Sequence, residues 1–73
     1  MTLEEKTFSI LKMKRGYDHT AHDVSKAYYD LYNENIIWHA FTGILQHLAY
    51  TGRVLFTGYD INRQCLYRYV KGE

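Results

Sequence analysis

The sequence predicts an α+β domain in which three helices are followed by a two-stranded β-hairpin. Three observations predict it. Helix-start signals at Thr2 and Thr20 each precede apolar residues that recur with a helical period. A third periodic segment runs up to Gly52. After Gly52 the apolar period falls from about 3.6 residues to about 2, which is the spacing of strands.

The first helix is expected over residues 3–15. In Thr2-Leu3-Glu4-Glu5, the Thr2 hydroxyl can accept from the Glu5 amide while the Glu5 carboxylate reaches back. Leu3, Thr7, Ile10 and Leu11 share one face, with Phe8 at its edge. Gly16 is the expected stop, and Lys14 and Arg15 suit the negative end of the helix dipole. Tyr17-Asp18-His19 reads as a turn.

The second helix is expected over residues 20–32, with Thr20 as cap and Asp23 in the first turn. Val24, Ala27, Tyr28 and Leu31 make its apolar stripe. Asn33-Glu34-Asn35 breaks the pattern, with Asn33 or Asn35 capping the next helix. That third helix is expected over residues 36–51, its stripe formed by Ile37, Phe41, Ile44, Leu45 and Leu48. The hairpin follows over residues 53–70. Its loop is Gly58 to Arg63, and its second strand is placed with Cys65, Tyr67 and Tyr69 inward and Arg68 outward.

With 73 residues there is room for one small core and no large substrate pocket. The hydrophobic fraction of 47% argues for a folded chain rather than a disordered one. Cys65 is the only cysteine, so an internal disulfide is excluded, which fits a reducing, cytoplasmic setting. No signal peptide is apparent, and no apolar run approaches the roughly 20 residues of a membrane span.

Net charge is only +1, but its distribution is uneven. Residues 1–16 carry +2 and residues 53–72 carry +3, whereas residues 17–52 carry −3. The middle is acidic through Asp18, Asp23, Asp30 and Glu34.

The spacing Leu45-x-x-Leu48-x-x-x-Gly52-x-Val54, ahead of a hairpin ending in Tyr67-x-Tyr69, resembles the winged helix-turn-helix superfamily. Thr20-Ala21-x-Asp23-Val24 is similar to the start of the helix before that family's recognition helix. The size suits its short single-domain regulators of bacterial or phage type. The resemblance implies binding of double-stranded DNA by the third helix and the hairpin wing, transcriptional regulation, and a possible homodimer. Two features depart from the family. The stretch from Leu31 to Ile37 is longer and more acidic than a tight turn, and the third helix contains no Lys or Arg.

If the third helix enters the major groove, the base-facing set is Trp38, His39, Thr42, Gly43 and Gln46. Gln46 can pair with adenine and Thr42 can meet a thymine methyl. Gly43 lets the backbone approach closely. Phosphate contacts then fall to Lys12, Lys14 and Arg15 after the first helix and to Arg53, Arg63, Arg68 and Lys71 in the hairpin. The same cations also serve as an ordinary solvated surface. The competing reading is a protein interface, an adaptor or inhibitor that does not use the third helix on DNA. Tyr29, Tyr32, Ile36, Trp38, Tyr50 and Leu55 offer more apolar surface than so small a core can hide.

Four histidines lack a ligand spacing typical of zinc, so no metal or other cofactor is expected. They read as surface residues. The five glycines are scattered and form no phosphate loop, no carboxylate pair shares an obvious site, and Cys65 reads as a small buried apolar residue. An enzyme is not expected.

Overall fold

The computed structural model of the protein describes residues 1–70. The elements run α1 (Leu3–Met13), α2 (Ala21–Tyr32), α3 (His39–Tyr50), β1 (Val54–Tyr59) and β2 (Cys65–Tyr69). Three helices pack together and a C-terminal antiparallel hairpin closes on them, an arrangement consistent with winged-helix topology.

Both N-terminal helices start with reciprocal caps. The Glu5 amide donates to the Thr2 hydroxyl at 3.1 Å, and the Thr2 amide donates to the Glu5 carboxylate at 2.9 Å. Thr20 and Asp23 repeat the device, with both bonds at 3.1 Å. Each cap satisfies amides that the first helical turn leaves free. α3 stops differently. Gly52 adopts φ 84°, its amide donates to the Ala49 carbonyl, and the Arg53 amide donates to the Leu48 carbonyl at 2.9 Å. This is a Schellman closure, and the left-handed residue it requires explains the glycine.

Three boundaries differ from expectation. α1 ends at Met13, a turn before Gly16. Asn33 caps the C-terminus of α2 in the left-handed region, its amide donating to the Tyr29 carbonyl at 2.8 Å, and so does not cap α3. α3 begins at His39 rather than at residue 36, without a side-chain cap. The physical cause is a tertiary bond: the Ser25 hydroxyl donates to the Ile36 carbonyl at 2.9 Å and anchors the preceding segment to α2. Ile37 consequently lies outside the helix and is 67% exposed instead of joining the stripe.

The core is built from Ile10 and Leu11 of α1, Val24, Ala27 and Tyr28 of α2, Phe41, Leu45 and Leu48 of α3, and Val54 and Tyr67 of the hairpin. Thr7 is also buried, its hydroxyl donating to the Leu3 carbonyl at 2.8 Å. Leu31, expected in the α2 stripe, is exposed, whereas Tyr28 is buried and Tyr32 half-buried, their rings 4.8 Å apart. The Tyr28 ring is fully buried, and its hydroxyl donates to the Glu34 carboxylate at 3.0 Å.

In the hairpin, Val54 pairs with Tyr69, Phe56 with Tyr67 and Tyr59 with Cys65, with a register shift between Phe56 and Gly58. Tyr67 points into the core and Arg68 points out, the register expected from the sequence. The Tyr17–His19 turn does more than reverse the chain. His19 forms an antiparallel bridge with Tyr67 and is buried, so it is not a surface histidine.

Candidate nucleic-acid interface

The outer face of α3 is a single row. His39, Gly43, Gln46 and Tyr50 are all exposed and recur at the spacing that stacks residues along one side of a helix. Their opposite side, Phe41, Leu45 and Leu48, is fully buried. The row carries no Lys or Arg. His47 flanks it and lies 3.7 Å from the Glu4 carboxylate. A Cβ built on Gly43 would meet nothing within 4 Å, so packing inside the fold does not require glycine there.

Two residues expected on this face sit elsewhere. Thr42 is half-buried, because the hairpin covers its flank of α3. Its hydroxyl oxygen is shielded from solvent and has no hydrogen-bond partner among the described residues. Trp38 is half-buried at the N-terminal edge of α3, stacked on His22 at 4.3 Å between ring centroids, with the His39 ring centroid 3.8 Å from its own.

The expected phosphate-binding cations are dispersed. Arg63 comes to α3. It adopts φ 62°, a left-handed conformation that is uncommon for a side-chain-bearing residue. The loop imposes it. The Asp60 carboxylate accepts from the Asn62 and Gln64 amides at 2.9 and 2.8 Å, and the Asp60 carbonyl accepts from the Arg63 amide at 3.0 Å. Such a turn closed by a left-handed residue is a common short hairpin connection. Arg63 then lines a crevice of about 130 Å³ with Trp38 and Thr42.

The remaining cations have other neighbours. Arg53 lies over the Phe8 ring, 5.5 Å from its centroid. Arg68 donates to the Asp18 carboxylate at 3.0 Å. Arg15 shares a hollow with Gly16, Arg68 and Tyr69, and another with Ser9, Lys12 and Met13. Lys14 borders a groove that also contains Lys26 and the carboxylates of Asp18, Asp23 and Asp30. Lys71 lies outside the described residues.

Of the aromatic and apolar residues expected at a protein interface, Tyr29, Tyr50 and Leu55 are exposed. Tyr32, Ile36 and Trp38 are half-buried and pack against the core. Tyr32 is covered by the Lys6 ammonium, 5.0 Å from its ring centroid. Beyond Leu55, sequence reasoning missed how apolar the hairpin surface is. Phe56 and Tyr59 meet edge to face at 5.3 Å and are exposed, and Ile61 at the tip is 96% exposed. The available signal was an isoleucine inside a turn. Burial pushes the Tyr67 phenol above its ordinary pKa, and the adjacent Cys65 adds to the effect.

Among the described residues, no three His, Cys, Asp or Glu side chains form a group able to hold a metal ion, and no helix is long and apolar enough to cross a membrane. Comparisons with models of protein families, with curated proteins and with solved structures find no match.

Proposed function

We propose that this protein binds double-stranded DNA as a small winged-helix transcriptional regulator. The exposed row His39, Gly43, Gln46 and Tyr50 enters the major groove, and the hairpin contacts the flanking backbone. The observation that carries the reading is the position of Arg63. α3 has no Lys or Arg of its own, and the exposed Arg63 of the hairpin lines the same crevice as Trp38 and Thr42 at the helix start. Phosphate contacts supply most non-specific affinity, so a helix without fixed charge needs such a neighbour. A homodimer belongs to this reading, because one short helix spans few base pairs and paired half-sites lengthen the target.

The test is fluorescence anisotropy with a mixed-sequence duplex at about 50 mM salt, repeated as salt rises. Binding that weakens log-linearly with salt is expected. No binding by a protein of intact helical content sinks the reading.

A second reading has its own observation. Leu55, Phe56, Tyr59 and Ile61 leave the hairpin surface apolar, which suits a protein partner better than a phosphate backbone. A Tyr59→Ser, Ile61→Ser variant separates the two. It leaves duplex affinity nearly unchanged if the protein works on DNA, and abolishes complex formation if the hairpin is the docking surface.

A further inference from the structure

The hairpin has a backbone edge that no other strand covers. β2 has a neighbour on both sides, β1 on one and His19 on the other. Among the described residues, β1 is paired only with β2. The bonding pattern shows which groups face outward. The Tyr67 amide and carbonyl both bond to His19 at 2.8 Å, so they point away from β1. Phe56 lies directly opposite Tyr67. In an antiparallel ladder that makes the two a non-bonded pair, so the Phe56 amide and carbonyl point away from β2 and project from the open edge. Phe56 itself is exposed. Such an edge is a template for a further strand, and proteins blunt it with lysine, proline or inward-pointing charge. Val54–Tyr59 contains none of these. Its one protective device is the register shift between Phe56 and Gly58, which bends β1 and confines further pairing to a few residues around Phe56. Leu55 and Phe56 are exposed on opposite faces, so an added strand meets an apolar side chain on either side.

The ends of β1 indicate the occupant. Arg53 precedes the strand and Asp60 follows it. A second copy of β1 laid antiparallel brings Arg53 of each chain to the Asp60 end of the other, whereas a parallel copy sets like charges together. The strand between them carries no charge to repel its own copy. We infer that two copies of this protein pair antiparallel through β1, about a two-fold axis at Phe56. The two Phe56 residues then exchange both backbone hydrogen bonds, and their rings lie side by side, since directly opposite residues share a face. A self-complementary contact of this kind stops at two chains. The interface is small, so the dimer forms only as concentration rises. It gives the homodimer of the DNA reading a surface, but it does not rest on that reading and is tested without DNA.

Sedimentation velocity of the whole chain between about 10 µM and 1 mM reads the mass over the range of weak association. Amide hydrogen exchange at the same concentrations reads the edge. The Phe56 amide should exchange freely in the dilute protein and gain protection in step with the dimer mass. The Leu55 amide, which faces Arg68 inside the hairpin, should be protected throughout. Phe56→Lys sets two like charges opposite each other and should raise the dissociation constant about tenfold or more, as should Phe56→Glu. An equimolar mixture of the two variants should associate more tightly than either alone. Circular dichroism verifies that the variants keep their helices, and the wild-type exchange experiment needs neither of them. The inference is overturned if the wild-type chain stays monomeric up to about 1 mM. It is equally overturned if a dimer forms while Phe56 exchange is independent of concentration. Folded Phe56→Lys that dimerises as tightly as wild type, or a mixture no tighter than its components, overturns it as well.

Discussion

His19 and Tyr67 exchange two backbone hydrogen bonds, each 2.8 Å long. They tie the hairpin to the turn between α1 and α2, far away in sequence. The neighbouring Asp18 reinforces the tie, accepting from Arg68 at 3.0 Å and from the Thr57 hydroxyl at 3.1 Å. A hairpin attached only through Thr51-Gly52-Arg53 would be free to swing. With its second strand fixed at Tyr67, its loop residue Arg63 has a defined place beside α3. The bridge therefore connects a packing feature to the proposed function.

Arg63→Ala should weaken duplex binding about equally for all sequences and reduce the salt slope by about one. The side chain is exposed, so its loss leaves folding stability nearly unchanged. Anisotropy titrations at several salt concentrations measure both quantities. An unchanged slope would remove Arg63 from the phosphate contacts.

Asp18→Asn should act in the opposite direction. The Arg68–Asp18 pair is partly exposed, so breaking it costs only about 0–1 kcal/mol of stability. It also removes a negative charge and frees a guanidinium on the hairpin. Under the DNA reading, affinity rises and the salt dependence steepens. A fall in affinity with an intact fold would show that the pair's structural role outweighs its charge.

Gly43→Ala separates stability from recognition. Alanine is favoured over glycine in a helix interior by about 1 kcal/mol, and the added Cβ meets nothing inside the fold. The melting temperature should rise. If α3 approaches DNA closely at this position, duplex affinity should fall in the same variant. Stabilisation with undiminished binding would place the DNA elsewhere.

Local signals were the legible ones. The caps at Thr2 and Thr20 and the stop at Gly52 depend on residues within a few positions, so spacing alone reveals them. Long-range contacts decided the rest. Ile37 fits the periodicity of α3, yet the Ser25–Ile36 bond holds its segment outside the helix. Thr42 faces outward on a bare helical projection, but the hairpin covers that flank. His19 looks like any turn histidine until Tyr67 pairs with it. The left-handed backbone of Arg63 follows from bonds to Asp60, a geometry that glycine usually announces and arginine does not.

Acidification should loosen the N-terminus of α1. The Glu5 carboxylate accepts a backbone hydrogen bond from Thr2, and this bond, followed by the Thr2 hydroxyl, holds its pKa below the ordinary value of 4.5. The ionised form is thus favoured in the folded state. Its contribution to stability is complete above the unfolded pKa and is lost as pH falls through the folded one. The cap should therefore persist through neutral and mildly acidic conditions and weaken as pH falls below the ordinary glutamate value. NMR titration of the Glu5 carboxyl and the Thr2 amide should give one shared midpoint below 4.5. Glu5→Gln keeps a hydrogen-bonding side chain that does not titrate, so the Thr2 amide should then lose that transition. A Thr2 amide that titrates identically in the variant would show that another carboxylate, not Glu5, governs the cap.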